Sequence, residues 1–191
     1  MSPSTHSFVV ERARALAFAG ALTLAMMTAS SFARASAPPL PPAIAQLAPA
    51  MKAQGGGLLT FFGIAVYDGW FWSAVPGWPQ AGPYALDLHY HRSLEGARIA
   101  ERSVDEITKL GLGSAADRER WGELMTRLFP NVKSGDRLTG VNVGTGTVHY
   151  FHNGKSIGEI SDAGFANAFF GIWLHPKSSR ADFRQKLLGT P

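Results

Sequence analysis

The chain has 191 residues, with 18 Lys and Arg against 14 Asp and Glu, 46% hydrophobic residues and no cysteine. That length fits one ordinary domain with a core of its own, and the missing thiols exclude disulfide staples, a thiol nucleophile and a lipid-modified cysteine. The basic balance sits mainly at the N-terminus: residues 1–35 hold three of the cations and one of the acids, leaving 15 against 13 from Ser36 onward, which is no nucleic-acid footprint.

Arg12 and Arg14 precede an apolar stretch from Ala15 to Ala29, and Ala33-Arg34-Ala35 offers small residues at the two positions a signal peptidase reads. The pattern predicts a signal peptide over residues 1–35, cleaved before Ser36, and hence an exported chain that is not transmembrane after cleavage. A retained anchor is the rival, because the nineteen residues between Arg14 and Arg34 are uncharged. Their richness in Ala, Thr and Ser and the processing signature favour removal. Residues 36–56, rich in Ala, Pro and Gly, read as an arm leading to a folded domain over 57–191.

Leu58 to Trp72, L-L-T-F-F-G-I-A-V-Y-D-G-W-F-W, carries one charge, Asp68. Its β-branched and aromatic residues fall on both parities, which predicts a strand buried on both faces at the centre of a sheet. Gly63 and Gly69 argue against a helix there, and Gly55-Gly56-Gly57 before it reads as a flexible turn. It is no phosphate loop, because a strand follows it where an anion cradle needs a helix. Tyr84 to Arg92 alternates, with Leu86, Leu88 and Tyr90 toward a core and Asp87, His89 and His91 on the polar side. Trp70 and Trp72 share one strand face opposite Phe71.

Helical spacing follows at Leu94, Ala97, Ala100, Val104, Ile107 and Leu110, with Gly111 as C-terminal cap. A second helix starts at Ser114, whose hydroxyl can cap the amides of Ala116 and Asp117, and stops before Pro130. Asp136 to Ile160 reads as strand and turn, with Asn153-Gly154 as a type I′ hairpin pair and Gly144-Thr145-Gly146 as a looser turn. Two short helices close the chain, from about Asp162 to Ile172 and from Ser179 to Leu187. Strands with segregated helices predict an α+β fold: an antiparallel sheet covered on one face by a helical layer.

Two constellations invite functional readings. His89 and His91, at i and i+2 on one strand, form a metal half-site, but with no third ligand nearby they read as solvent-facing histidines, so no metal and no cofactor is expected. Arg98 and Arg102 share a helix face and could grip a ligand carboxylate, although the interspersed Glu95, Glu101 and Asp105 also suit a solvated salt-bridge face.

Five segments in order carry a more specific signal: F-F-G-I-A-V-Y at Phe61 to Tyr67, K-L-G at Lys109 to Gly111, K-S-G-D-R-L-T-G at Lys133 to Gly140, Y-F-H-N-G-K at Tyr150 to Lys155, and F-A-N-A-F-F-G-I-W-L-H-P at Phe165 to Pro176. From about Gly57 to Leu188 the chain resembles the bacterial branch of the chalcone isomerase-like family. The resemblance implies a large curved antiparallel sheet, a helical layer on one face and a ligand cleft between them. That family includes plant enzymes that close chalcones to flavanones and non-catalytic members that bind fatty acids, so chemistry must be argued from the site.

In the enzymes a strand threonine, an arginine about a dozen residues earlier and a helix-start tyrosine hold the substrate. Matched onto this chain, those positions hold Phe62, Ala50 and Glu95, none of them conservative. The resemblance therefore implies a protein that binds a fatty acid or flavonoid-like molecule without isomerase chemistry, and the N-terminal pattern adds the expectation that it is exported to the periplasm. Phe62, Tyr67, Tyr90, Arg98, Arg102, Phe169 and Trp173 are the expected cleft residues, with Phe62 on the cleft floor. Two alternatives stay open: an intramolecular lyase using Tyr90, Arg98 and His91, and an accessory protein with a filled cleft and an envelope partner.

Overall fold

The computed structural model describes residues 37–79, 82–162 and 164–190; the expected signal segment lies outside them. Six strands form one antiparallel meander in the order β1-β2-β3-β4-β5-β6: β1 (Lys52–Phe61), β2 (Ile64–Ser73), β3 (Tyr84–Tyr90), β4 (Arg137–Asn142), β5 (Thr147–His152) and β6 (Lys155–Ser161). α1 (Pro42–Leu47) precedes the sheet, α2 (Gly96–Leu110) and α3 (Ala115–Leu128) join β3 to β4, and α4 (Phe165–Leu174) and α5 (Ala181–Leu188) follow β6. This is the expected α+β class, an open antiparallel sheet with its helical layer.

The local signals that held have direct chemistry behind them. Gly111 ends α2 in the left-handed conformation at φ 70°, and Ser114 and Asp117 exchange side-chain-to-amide bonds in a capping box at the start of α3. Asn153 and Gly154 turn β5 into β6 with φ of 51° and 78°.

The Leu58 to Trp72 run is not one strand. It breaks at Phe62-Gly63, whose φ of 49° and 77° give the same two-residue turn geometry, and its halves pair with each other as β1 and β2. β1 is thus an edge strand, not a central one. Residues 52–56, read as part of the arm, are the first half of β1, and Pro42–Leu47 is helical. The glycine run is strand as well, because side chains there would collide with neighbours on both faces. A Cβ on Gly55 would overlap the Lys186 carbonyl, one on Gly57 would reach the Lys186 side chain, and one on Gly56 would run into the Trp70 indole. The glycines let α5 lie directly on β1.

Each sheet face has its own core. The larger packs Leu59, Tyr67, Phe71, Leu86, Leu88, Leu138 and Val148 against Ile107, Trp121, Met125, Phe165, Phe170, Leu174 and Phe183 of the helical layer. The smaller gathers Ile44, Ala48 and Met51 over Ala85, Val141 and Phe151 on the outer face. The arm therefore covers part of the face expected to be polar. Trp70 is buried there against His89, with rings 4.9 Å apart, so that face is not wet at this point.

Candidate functional site

All four tyrosines of the chain lie on the helix-facing side of the sheet. Strand alternation places them: Tyr67 on β2 stands opposite Tyr90 on β3, Tyr84 shares the Tyr90 face, and Tyr150 on β5 stands opposite Gly140 of β4. Gly140 lacks the side chain that would crowd the Tyr150 ring. Against this row α4 presents Phe165, Phe169 and Trp173, spaced four residues apart on one helix face, with Phe170 beside them. Trp173 Nε1 donates to Tyr67 Oη at 2.8 Å, Phe169 meets Tyr150 at 5.4 Å between centroids, and Phe170 meets Tyr84 at 4.7 Å.

Two phenols have spare bonding capacity. Tyr150 Oη is buried with no hydrogen-bond partner among the described residues, next to the rings of Phe129 and Phe169. Tyr67 Oη accepts from Trp173, while its own proton meets no acceptor among the described residues. Burial pushes Tyr67 up to about 12 against the lowering effect of the Trp173 hydrogen bond, and it raises Tyr90 and Tyr150 as well. At neutral pH these are neutral donors, not bases.

One rim of this region is charged. Glu106 of α2 is nearly buried and receives Arg102 at 2.6 Å, Lys109 at 2.9 Å and Ser179 Oγ at 2.6 Å. Burial works to raise its carboxyl, but the Ser179 and Lys109 hydrogen bonds and the nearby cations outweigh that and hold it below the ordinary 4.5. Arg180 Nη1 donates to the Thr60 carbonyl at 2.7 Å and ties the α4–α5 connection to β1.

Of the expected site residues, the structure brings Tyr67, Tyr90, Phe169 and Trp173 together. Phe62 is corrected: it sits at the β1–β2 turn with 90% of its surface exposed, because the positive-φ position of a hairpin tip projects its side chain outward. Leu58 points to the outer face, opposite Asp68, so neither residue floors an interlayer site. Arg98 is corrected too. It extends into solvent and pairs with Glu101 at 2.6 Å, while Arg102, half-exposed, is taken by Glu106. The set Tyr90, Arg98 and His91 does not converge, since Tyr90 is in the core and His91 bonds Asp68 at 2.7 Å at the other face.

His89 bonds Asp87, and no cluster of three or more metal-ligating side chains occurs among the described residues. Asp87 itself was expected to be on a polar face and is fully buried. It takes Arg137 Nε and Nη2 at 2.7 Å each, Thr139 Oγ1 at 2.7 Å and His89 Nε2 at 3.0 Å, while Arg137 Nη1 reaches the Pro39 carbonyl of the arm at 3.1 Å. Tyr150 was missed as a site residue although alternation within Y-F-H-N-G-K puts it on the core side; the signal available was that every tyrosine falls on one face.

A chalcone isomerase-like family model matches residues 80–189. An uncharacterized protein of Haemophilus influenzae is 30% identical over 107 residues, 56% of this chain and 52% of that relative, so the chain spans about half the length of the curated relative it matches. Among solved structures, the crystal structure of an Arabidopsis thaliana fatty-acid binding protein matches with a TM-score of 0.54 and 12% identity, covering 73% of this chain and 87% of that one. That likeness is one of fold, and it agrees with the meander and helical layer described above. Its fold and its match over more than half of its length place this chain in the chalcone isomerase-like family.

Proposed function

We propose that the protein binds an apolar or amphipathic small molecule, a fatty acid or flavonoid-like compound, between sheet and helices, without isomerase chemistry. The observation that carries this reading is the Tyr150 hydroxyl, buried among aromatic rings with no partner among the described residues. A buried orphan hydroxyl destabilises a fold by about 1–3 kcal/mol unless something supplies a partner. A ligand carboxylate or carbonyl would supply one, and the Tyr67 proton is a second donor on the same side. The fatty-acid binding fold neighbour supports the ligand class.

Binding is favoured over turnover because the cations whose charge reaches the Tyr67 phenol, Arg180 and Arg102, are already engaged by other groups. Arg102 is engaged by Glu106 and Arg180 by Thr60 and Asp182, so neither is free to stabilise a developing enolate. The N-terminal pattern supports export to the periplasm, and no helix among the described residues is long and apolar enough to cross a membrane. Native mass spectrometry of the purified protein with added oleate or naringenin tests the reading; a bound species is expected, and persistently empty spectra contradict it.

A second reading is favoured by the mutual packing of Phe165, Phe169 and Trp173, whose neighbouring rings stand 5.6 and 5.3 Å apart. In it the protein's own rings fill the interlayer space and an envelope partner is the target. Empty spectra with both ligands, together with co-purification of one defined envelope protein, would favour it.

A further inference from the structure

The layer between sheet and helices holds two spare hydroxyl groups, and they are far apart. Tyr67 Oη accepts from Trp173 Nε1 at 2.8 Å while its own proton meets no acceptor among the described residues, and Tyr150 Oη has no partner among them at all. The strand register measures the gap. Tyr67 stands opposite Tyr90, Leu86 stands opposite Gly140, and Gly140 stands opposite Tyr150, so the two tyrosines lie three strands apart across the sheet. They are also offset along it by the four residues from Leu86 to Tyr90 on β3. At about 4.8 Å per strand and about 3.3 Å per residue, their Cα positions are roughly 20 Å apart.

What lies between them is apolar. Leu88 of β3 and Leu138 of β4, buried and paired with each other, occupy the diagonal from Tyr67 to Tyr150 on the sheet. From the helical layer α4 lays Trp173 against Tyr67 and Phe169 against Tyr150, with those two rings 5.3 Å apart. The strip therefore reads hydroxyl, apolar middle, hydroxyl. Burial raises both phenols and keeps them neutral, so each needs a hydrogen-bond acceptor and neither needs a counter-charge. A ligand with one polar end satisfies one of them and leaves the other proton unpaired in an apolar setting, which is unfavourable for any buried donor.

We propose that the ligand is polar at both ends: an elongated acyl chain whose carboxylate meets Tyr150 and whose far end carries a second, neutral acceptor, a hydroxyl or carbonyl oxygen, for Tyr67. A plain fatty acid makes only the first of these contacts. The inference rests on the ligand reading above and narrows its chemical class.

Two fixed contacts make binding depend on length. Calorimetric titration of the full chain would compare saturated fatty acids with ω-hydroxy fatty acids over one series of chain lengths. The plain acids should bind more tightly with each added methylene. The ω-hydroxy acids should instead pass through an optimum, because only a narrow range of lengths reaches both phenols, and should bind about tenfold more weakly a few carbons to either side. In Tyr67→Phe the optimum should vanish and the best hydroxy acid should lose about tenfold. Plain acids should keep their wild-type affinity in that variant, which also reports that its fold is intact.

A hydroxy-acid series whose affinity rises steadily with length in the wild-type chain overturns the proposal, and so does an optimum that survives Tyr67→Phe. Either result leaves plain-acid binding standing. Binding of neither series overturns the ligand reading and this inference with it.

Discussion

On the helix-facing side of the sheet, Tyr67, Tyr90 and Tyr150 bury neutral phenols among aromatic rings, and two of them keep a hydrogen-bonding valence unused. On the opposite side, Asp87 buries a full charge, and both of its oxygens are taken up by Arg137, Thr139 and His89. The difference follows from the scale of the penalties. A neutral hydroxyl without a partner costs a fold about 1–3 kcal/mol, whereas an uncompensated buried charge costs several times that. A sheet can therefore hold spare polar capacity for a ligand only where its buried polar groups are neutral. The outer face, with its charges saturated and the arm held across it by the Arg137 bond to Pro39, has the character of a structural clasp.

Breaking the clasp should produce the largest effect. Asp87→Ala strands the Arg137 guanidinium and should destabilise the domain by about 3–5 kcal/mol in urea unfolding. The same carboxyl sets an acid limb. Burial tends to raise it, yet the bonds from His89 and Arg137 and the Arg137 charge hold it below the ordinary 3.8. A group with a depressed folded pKa contributes fully above its unfolded value, near 3.8, and loses that contribution as pH falls through the folded value beneath it. Stability should thus drop below about pH 4, and Asp87→Asn should flatten that drop; an unchanged acid limb would remove Asp87 as its cause.

Next in size is the helical side's seat on β1. Gly55→Ala would drive a methyl into the Lys186 carbonyl and should cost about 1–3 kcal/mol by overpacking. Gly82→Ala, with nothing within 4 Å, should stay within about 0.5 kcal/mol of wild type. Equal melting temperatures for the two variants would show that α5 does not need that close approach.

Tyr150→Phe sharpens the comparison most, because it separates stability from binding. Deleting an orphan hydroxyl should leave the fold unchanged or stabilise it by about 1 kcal/mol, and it should weaken oleate binding at the same time. A purely structural tyrosine would move neither or only the first. The smallest effect is expected for Arg98→Ala, since the exposed arginine's pair with Glu101 is screened by solvent, so neither stability nor binding should change measurably; a large loss of binding would return Arg98 to the ligand site.

Much of this architecture was legible because local rules and tertiary context agreed. Gly111, the Ser114 capping box and Asn153-Gly154 announce their backbone conformations chemically. Phe62-Gly63 makes the same turn as Asn153-Gly154 but hides it inside an apolar run, and a continuous strand was the natural expectation. The error carried forward, since reading Phe62 as a strand residue placed an exposed tip on the floor of the ligand site. Gly55-Gly56-Gly57 is ambiguous in the same way, as glycine serves both turns and close helix approach. Asp87 escaped notice because alternation says which face a residue takes, not whether a distant segment such as the arm covers that face. Tyr67, Tyr90, Phe169 and Trp173 were recoverable because their side of the core follows from periodicity alone, and Tyr150 obeys the same rule.

The central claim is that the neutral, helix-facing side receives a ligand through its spare phenol. It is tested most directly by titrating oleate into wild-type protein and Tyr150→Phe under identical conditions, following tryptophan fluorescence, since Trp173 lies in that layer. The account predicts saturable binding in wild type and about three- to tenfold weaker binding in the variant, the equivalent of one lost hydrogen bond. Absent binding in wild type, or equal affinities in the two proteins, would contradict it.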